Sequence, residues 1–267
     1  VLAVFEDRAG ILWIGTENGG LNRFDRATNT FTRYQHDSRR PNSLSSNTIR
    51  VIYEDRAGNL WLGTDHGLDQ FNREQGTAFH HQQAANPIQA ISEDAAGNLW
   101  LGTSGGGLLQ FQAATRAMTV YQHDPRRALN QPRLNIWALY EDPAGILWIG
   151  MDAGLESFDR QQGRFEHYPT SPEHRIHAIH VDRAGALWVG TNGSGLARFD
   201  RQTRQFIYYQ ANPDDPNSLS SNTVFALCES RSGILWIGTQ NGGVNFYDRE
   251  QTKFSHYMVD NDDPYSL

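Results

Sequence analysis

The chain has 267 residues, and its 23 Lys or Arg against 30 Asp or Glu give a formal net charge of −7 at pH 7. This acidic balance argues against nucleic acid or an anionic membrane surface as a partner. The single Cys228 excludes an internal disulfide framework and a zinc site built from cysteines. No apolar run approaches the roughly 18 residues of a membrane span, so no membrane contact is expected within this chain.

A repeated phrase, Gly-x-Leu-Trp-x-Gly-Thr, recurs six times with small departures, and its tryptophans lie 48, 39, 48, 40 and 48 residues apart. They are Trp13, Trp61, Trp100, Trp148, Trp188 and Trp236. Repeats of this length are typical of propellers and related repeat architectures. We therefore interpret the chain as one domain of six repeats, with approximate bounds 1–48, 49–87, 88–135, 136–175, 176–223 and 224–267.

The second repeat shows the predicted elements in chain order. Residues 49–54 alternate and are rich in β-branched side chains, which is typical of a first strand. A tight turn over 55–58 follows, with Asp at its first position and Gly where a positive φ is needed. Further strands are predicted over 60–64, over 67–72 and around Phe79. No segment keeps the 3.6-residue period of a helix.

Four short strands in each repeat predict an all-β fold, a β-propeller of six four-stranded antiparallel blades. We favour a closed ring, because blades with exposed edges tend to aggregate. An open arc of a larger propeller is the alternative. The connections between the fourth strand of one repeat and the first strand of the next are long at two places, from about residue 34 to 48 and from 209 to 223.

The extended phrase Glu-Asp-x-x-Gly-x-Leu-Trp-x-Gly-Thr resembles the two-component regulator propeller repeat over essentially the whole chain. Val181 replaces the Glu in one copy, Ser230 the Asp in another, and Met151 the Thr in a third. Residues 42–47 and 217–222 resemble the family's inter-blade connector. The resemblance implies an extracytoplasmic sensor, periplasmic or extracellular, that often recognises carbohydrate. It also implies an output signalling module outside this chain, in the manner of histidine kinases and diguanylate cyclases.

The sequence offers no catalytic constellation and no metal or cofactor motif. We interpret the tryptophan column as packing between blades, and the Asp of each Glu-Asp pair as a cap on its own turn. His177 and His180 point to opposite faces of a strand, so they cannot chelate one ion together. Five histidines near the fourth strands are expected to be solvated edge residues: His36, His81, His123, His167 and His256.

Candidate ligand-binding residues come from positions that differ between the repeats. The long connectors and the turns between second and third strands should share one face, and loops on a rigid scaffold commonly carry binding. The most variable column, one residue into the first strand, mixes stacking and hydrogen-bonding groups that suit a small molecule or an oligosaccharide. Its members are Leu2, Arg50, Gln89, Trp137, His177 and Phe225. The turns add Glu17, Asp65, His66, Asp152, Asn192 and Gln240.

Three alternatives remain open. The variable positions could be solvated residues that drift without function. The chain could instead be a scaffold for protein–protein interaction, as in WD-repeat propellers. A propeller lyase or glycosidase is a further alternative, but it requires an acid/base pair on one face, and the repeats show none.

Overall fold

The computed structural model describes residues 1–82, 86–121, 135–170, 174–248 and 253–258. These residues form strands joined by turns, with no helix among them. In the second repeat the predicted strands coincide with the observed ones, which are β5 to β8 of the chain. His123, which we expected to be solvated, lies outside the described residues.

The chain divides into two compact units, Val1–Glu141 and Asp142–Leu267. The first unit contains β1 (Ala3–Glu6), β2 (Leu12–Gly15), β3 (Leu21–Asp25), β4 (Thr30–Tyr34), β5 (Ile49–Glu54), β6 (Leu60–Thr64), β7 (Gly67–Asn72), β8 (Thr77–Gln82), β9 (Ile88–Glu93), β10 (Asn98–Thr103), β11 (Leu108–Gln112), β12 (Ala117–Tyr121) and β13 (Ile136–Glu141). The second contains β14 (Ile146–Met151), β15 (Gly154–Asp159), β16 (Arg164–Tyr168), β17 (Ile176–Val181), β18 (Leu187–Thr191), β19 (Leu196–Asp200), β20 (Gln205–Tyr209), β21 (Val224–Glu229), β22 (Leu235–Thr239), β23 (Val244–Asp248) and β24 (Lys253–Tyr257).

Each successive set of four strands forms one sheet, from β1–β4 to β21–β24, in which the strands neighbour each other in chain order. We call these sheets the first to the sixth blade, and the strands of each blade A, B, C and D. The predicted β-propeller of six four-stranded antiparallel blades is therefore confirmed. Closure of the ring stays a prediction.

The repeat tryptophan and the turn aspartate six residues before it form one buried unit. In the second blade, Asp55 Oδ1 accepts the backbone N–H of Asn59 at 2.8 Å, which caps the A–B turn. Its Oδ2 accepts the Trp61 Nε1–H at 2.7 Å. Five blades share the Asp–Trp bond, at 2.5 to 3.0 Å. The aspartate therefore caps its turn, as predicted, and also satisfies the indole N–H that burial removes from water.

The sixth blade departs from this unit. Ser230 stands at the aspartate position, where its Oγ accepts the backbone N–H of Ile234 at 3.1 Å and lies 2.8 Å from Ser232 Oγ. Trp236 is half-buried, whereas the five other repeat tryptophans are at most 5 % exposed. The substitution at Ser230 therefore breaks this unit, because serine is too short to cap the turn and reach the indole together.

Contacts between neighbouring blades explain the glycine two residues after the repeat tryptophan in the blades that have a neighbour on this side. A Cβ on Gly190 of the fifth blade would lie 2.9 Å from the Val224 carbonyl oxygen of the sixth. In the first blade, a Cβ on Gly15 would lie 2.8 Å from the Ile49 carbonyl oxygen of the second. Only glycine lets strand A of the next blade approach this closely.

The glutamate before the turn aspartate also joins blades. Glu229 Oε2 of the sixth blade accepts the backbone N–H of Arg183 in the A–B turn of the fifth, at 3.0 Å. Glu54 and Glu93 accept the corresponding N–H of the preceding blade at 2.8 Å. In the fourth blade the residue that corresponds to Arg183 is Pro143, which has no N–H. In the fifth blade the residue that corresponds to the glutamate is Val181. The donor and the acceptor are thus lost together.

Candidate functional site

The long connectors lie against the B–C turns. In the second blade, Ser45 N donates to Asp69 Oδ2 at 2.8 Å, and Ser45 Oγ lies 2.9 Å from Thr64 Oγ1. The turn residue His66 has its Nδ1 2.9 Å from the Ser45 carbonyl oxygen. Connector and turn therefore share one face, as the repeat logic predicts.

Local chemistry fixes the shape of each long connector. Asn47 Oδ1 accepts the His36 N–H at 2.8 Å, and Asn222 Oδ1 accepts the Ala211 N–H at 2.7 Å. Each bond joins the beginning of its connector to the end of the same connector. A leucine near the middle of each connector is buried to 2 % exposure and anchors it to the core; these are Leu44 and Leu219. The loops are thus held rigidly enough to present side chains.

Four members of the variable column lie at β-bulges. The A–B register shifts between Ile49 and Val51, so Arg50 is the extra residue in strand A. The same shift places His177 and Phe225 at bulges, and in the third blade it places Gln89 there. A bulge leaves its residue out of the ladder and re-aims the side chain. This explains why the position varies freely between apolar neighbours.

In the first unit the structure brings Arg50 and Asp65 together. Arg50 Nε is ion-paired with Asp65 Oδ1, and the side chains are 28 % and 31 % exposed. Arg50 is therefore a partly buried, paired cation. Of the other candidates of this unit, Gln89 and Trp137 are half-buried, and Glu17, His66 and Leu2 are exposed.

In the second unit four side chains meet. The His177 ring lies 4.8 Å from that of Phe225, which is 48 % exposed. Burial, helped by the nearby charge of Arg175, lowers the pKa of His177 to about 4, so the imidazole is neutral at pH 7. Arg175 Nε is paired with Asp152 Oδ1 at 2.7 Å.

Arg175 escaped the sequence reasoning because it precedes strand A and lies outside the aligned column. A signal was present: it is two residues before His177, and such residues point to the same side of an extended chain. The remaining candidates of this unit, Asn192 and Gln240, are exposed, and their backbone N–H groups bond to Arg175 O and Thr223 O at 2.9 Å.

The group of side chains in each unit can form hydrogen bonds but carries no net charge. Each guanidinium faces a carboxylate from a B–C turn, and the histidine is neutral. Such groups can donate to and accept from hydroxyls, while the exposed Phe225 ring offers a stacking face. Among the described residues no group of three His, Cys, Asp or Glu side chains could hold a metal ion.

The expectation of solvated histidines near strand D is wrong for His81 and His167. The His81 ring packs 5.1 Å from that of Trp61 and 5.0 Å from that of Phe111, and burial lowers its pKa to about 4. His167 Nδ1 lies 3.2 Å from Oε1 of the buried Glu156. These side chains point inward along the pleat, which the sequence does not reveal for an outer strand. His36 is exposed, as expected, and His256 is half-buried.

Comparison with known proteins identifies the repeat. A family model described as two component regulator propeller matches just over half of the chain, at residues 1–18, 43–66, 82–105, 130–153, 170–193 and 218–241. No curated protein matches the sequence. None of the described segments is a long apolar helix of the kind that crosses a bilayer.

Solved structures share the fold. The chain is 25% identical, with a TM-score of 0.77 over 91% of its length, to the extracellular domain of a hybrid two component system from B. thetaiotaomicron. It is 24% identical, with a TM-score of 0.50, to the extracellular domain of a one component system from the same organism. It spans only 32% and 36% of those two chains. Virginiamycin B lyase from Staphylococcus aureus is 13% identical with a TM-score of 0.75, over 96% of this chain and 83% of the lyase.

Proposed function

Because the chain belongs to the two component regulator propeller family, we propose that it is the extracytoplasmic sensor part of a signal-transduction protein. The observation that carries this proposal is the likeness, over 91% of the chain, to an extracellular domain of a two component system. The output module is then a separate part of the signalling system. At 13% identity the lyase shares the fold alone.

In each unit, the proposed ligand site is the face formed by the connector and the B–C turns of that unit. The proposal rests on the bulged residues of strand A, which lie outside the regular A–B pairing and differ between blades. In the second unit the exposed Phe225 ring, the neutral His177 and the paired Arg175 lie together. Since the guanidinium charge is already balanced by Asp152, this group favours a neutral polyhydroxylated ligand over an acidic one. An oligosaccharide without carboxylate or sulfate groups has this chemistry.

The test is calorimetric titration of the chain with a panel of neutral oligosaccharides. For a saccharide that binds, Phe225→Ala should weaken affinity roughly fivefold, because a stacking contact contributes about 1 kcal/mol. Phe31→Ala is the matched control, since Phe31 is 58% exposed on strand β4 and is not one of the bulged residues of strand A. Arg50→Ala tests the first unit separately, with an expected loss of about 1.5–3 kcal/mol if Arg50 bonds the ligand.

Three results would contradict the proposal. Binding that is unchanged in both Phe225→Ala and Arg50→Ala would place the site elsewhere. An equal loss in Phe31→Ala would show that the effect is not local. Absence of binding to any saccharide, together with tight binding to a purified protein partner, would make the chain an interaction scaffold.

A further inference from the structure

A cleft of about 450 Å³ lies on the outside of the first unit, on the strand D side of the blades. It is bounded by the end of strand β4, by the connector that follows it, and by the C–D turn of the second blade around Gly76. The Tyr34 ring forms one wall. A Cβ on Gly76 would lie 2.7 Å from Tyr34 Cε1, so the absence of a side chain there allows the turn to close over the ring.

Arg33 and Arg40 line this cleft, and each has one polar side-chain contact. Arg33 Nε donates to Oδ1 of the buried Asn22 at 3.4 Å, and no carboxylate of the described residues pairs with Arg33. Arg40 Nε lies 3.6 Å from Asp37 Oδ2. Asp37 also accepts the Arg39 N–H at 3.0 Å. The lining thus has two cations against one anion in a chain whose net charge is −7.

Neutral hydrogen-bonding groups complete the lining. Asn42 is fixed by its backbone, since its carbonyl oxygen accepts the Ala78 N–H at 2.8 Å. The side chains of Asn42 and Gln75 are exposed at the cleft, whereas Thr77 is half-buried and its hydroxyl donates to Gln75 Oε1 at 3.5 Å. Amides and hydroxyls of this kind pair with sugar hydroxyls, because each can donate or accept.

The repeat shows that the scaffold does not require these cations. The connector between the fifth and sixth blades has the same Pro-Asn-Ser-Leu-Ser-Ser-Asn core, yet Asp214 and Asp215 stand where the first connector has Arg39 and Arg40. Tyr208 stands at the Arg33 position. The connector therefore folds with the opposite charge, and the basic lining needs another reason.

We propose that this cleft, which we call the rim cleft, binds a carboxylate-bearing sugar. Arg33 and Arg40 would bind the carboxylate, and Asn42, Gln75 and Thr77 would form hydrogen bonds with the sugar hydroxyls. Guanidinium groups favour planar carboxylates through paired, charge-assisted hydrogen bonds. A volume of about 450 Å³ suits one or two sugar rings. This site is separate from the connector and B–C turn face and stands whether or not that face binds a neutral saccharide.

The test is calorimetric titration of the chain with digalacturonate, its neutral analogue galactobiose, inorganic sulfate and a tetraglutamate peptide. Digalacturonate should bind, and galactobiose should bind at least about tenfold more weakly, as expected for loss of a charge-assisted hydrogen bond. Arg40→Asp and Arg33→Gln should each weaken digalacturonate binding by about tenfold or more. Arg39→Asp is the matched control, because it makes the same charge change on the same connector outside the cleft lining.

Several outcomes would overturn the proposal. Equal losses in Arg39→Asp and Arg40→Asp would indicate a general effect of charge instead of a site. Sulfate or tetraglutamate binding as tightly as digalacturonate would reassign the cleft to simple anions or to acidic peptides. Absence of digalacturonate binding to the intact chain would remove the site altogether. Far-UV circular dichroism of each variant establishes that a loss of binding is not a loss of fold.

Discussion

The turn aspartate shows how one residue of the repeat can serve two neighbours. Asp55 uses one oxygen for the backbone of its own turn and the other for the indole of Trp61. Each bond satisfies a donor that folding removes from water, and an unmade bond would cost about 1–3 kcal/mol. The spacing of six residues between Asp and Trp is therefore set by a side-chain contact and not by the turn alone.

The glycine two residues after the repeat tryptophan allows a prediction at this scale. Gly190→Ala should lower the free energy of unfolding by about 1–3 kcal/mol, because its Cβ would enter the space of the next strand A. The nearest atoms to that Cβ are Val224 Cγ1 at 2.7 Å and Val224 O at 2.9 Å. Urea unfolding followed by tryptophan fluorescence measures the difference.

Gly238 is the matched control for this prediction. It occupies the same repeat position in the sixth blade, but its nearest neighbour would be Ala226 Cβ at 3.4 Å. Gly238→Ala should therefore change the stability by no more than about 0.5 kcal/mol. Similar losses in both variants would mean that the glycine is needed for its backbone and not for the close approach.

At the scale of elements, two blades that follow a long connector have a buried polar residue on strand C, and this residue forms a hydrogen bond with the connector. Asp69 and Asn245 each accept a serine N–H from the long connector before their blade, at 2.8 and 2.9 Å. The third and fifth blades follow short connections, and the same position there is Leu109 or Ala197. A buried polar group is kept where a connector donor exists, since an unsatisfied one would be costly.

The contact between the fourth and fifth blades allows a second prediction. Pro143→Arg combined with Val181→Glu should create between the fourth and fifth blades a bond equivalent to the one that Glu229 accepts from the Arg183 N–H at 3.0 Å. The two changes should be more favourable together than the sum of their separate effects. We expect a coupling of about 1 kcal/mol, the usual net value for a hydrogen bond in a protein.

A double-mutant cycle in urea measures this coupling. Glu229→Val supplies the control, because it removes the acceptor where the donor is present, and it should destabilise the protein. Strictly additive effects of Pro143→Arg and Val181→Glu would show that the two departures are unrelated.

For the molecule as a whole, two half-buried histidines make stability depend on pH. His81 and His177 both have a pKa of about 4 in the fold, against 6.5 for the unperturbed side chain. The unfolded chain therefore binds protons between these values while the folded chain does not. Stability from these groups is complete above pH 6.5 and is lost as the pH falls from 6.5 to about 4.

The third prediction follows from this pH window. Because both rings are partly exposed, we expect each to contribute at most about 1–2 kcal/mol after solvent screening. His81→Phe keeps the aromatic packing against Trp61 and should reduce the loss of melting temperature between pH 7 and pH 4.5. Calorimetric scans of the variant and the parent chain measure the difference. An unchanged loss would exclude His81 as a source of acid sensitivity.

Much of this protein could be predicted from the repeat. The strands of the second blade, the turn cap and the shared face of connectors and B–C turns all follow from local patterns. The bulge at Arg50 and the inward placement of His81 could not be predicted, because both depend on how neighbouring strands pair and pack. The Arg50–Asp65 and Arg175–Asp152 pairs were missed for the same reason.

By itself, the sequence determined the number of blades, the order of their strands and the position of the A–B turns, because these depend on short-range spacing that recurs six times. Only the tertiary structure decided which side chains are released from the sheet, which cations are balanced by carboxylates and where the rim cleft opens. Those features arise from contacts between residues far apart in the chain. Arg33, Arg40 and Gly76 lie around one cleft only because the connector folds back against the second blade.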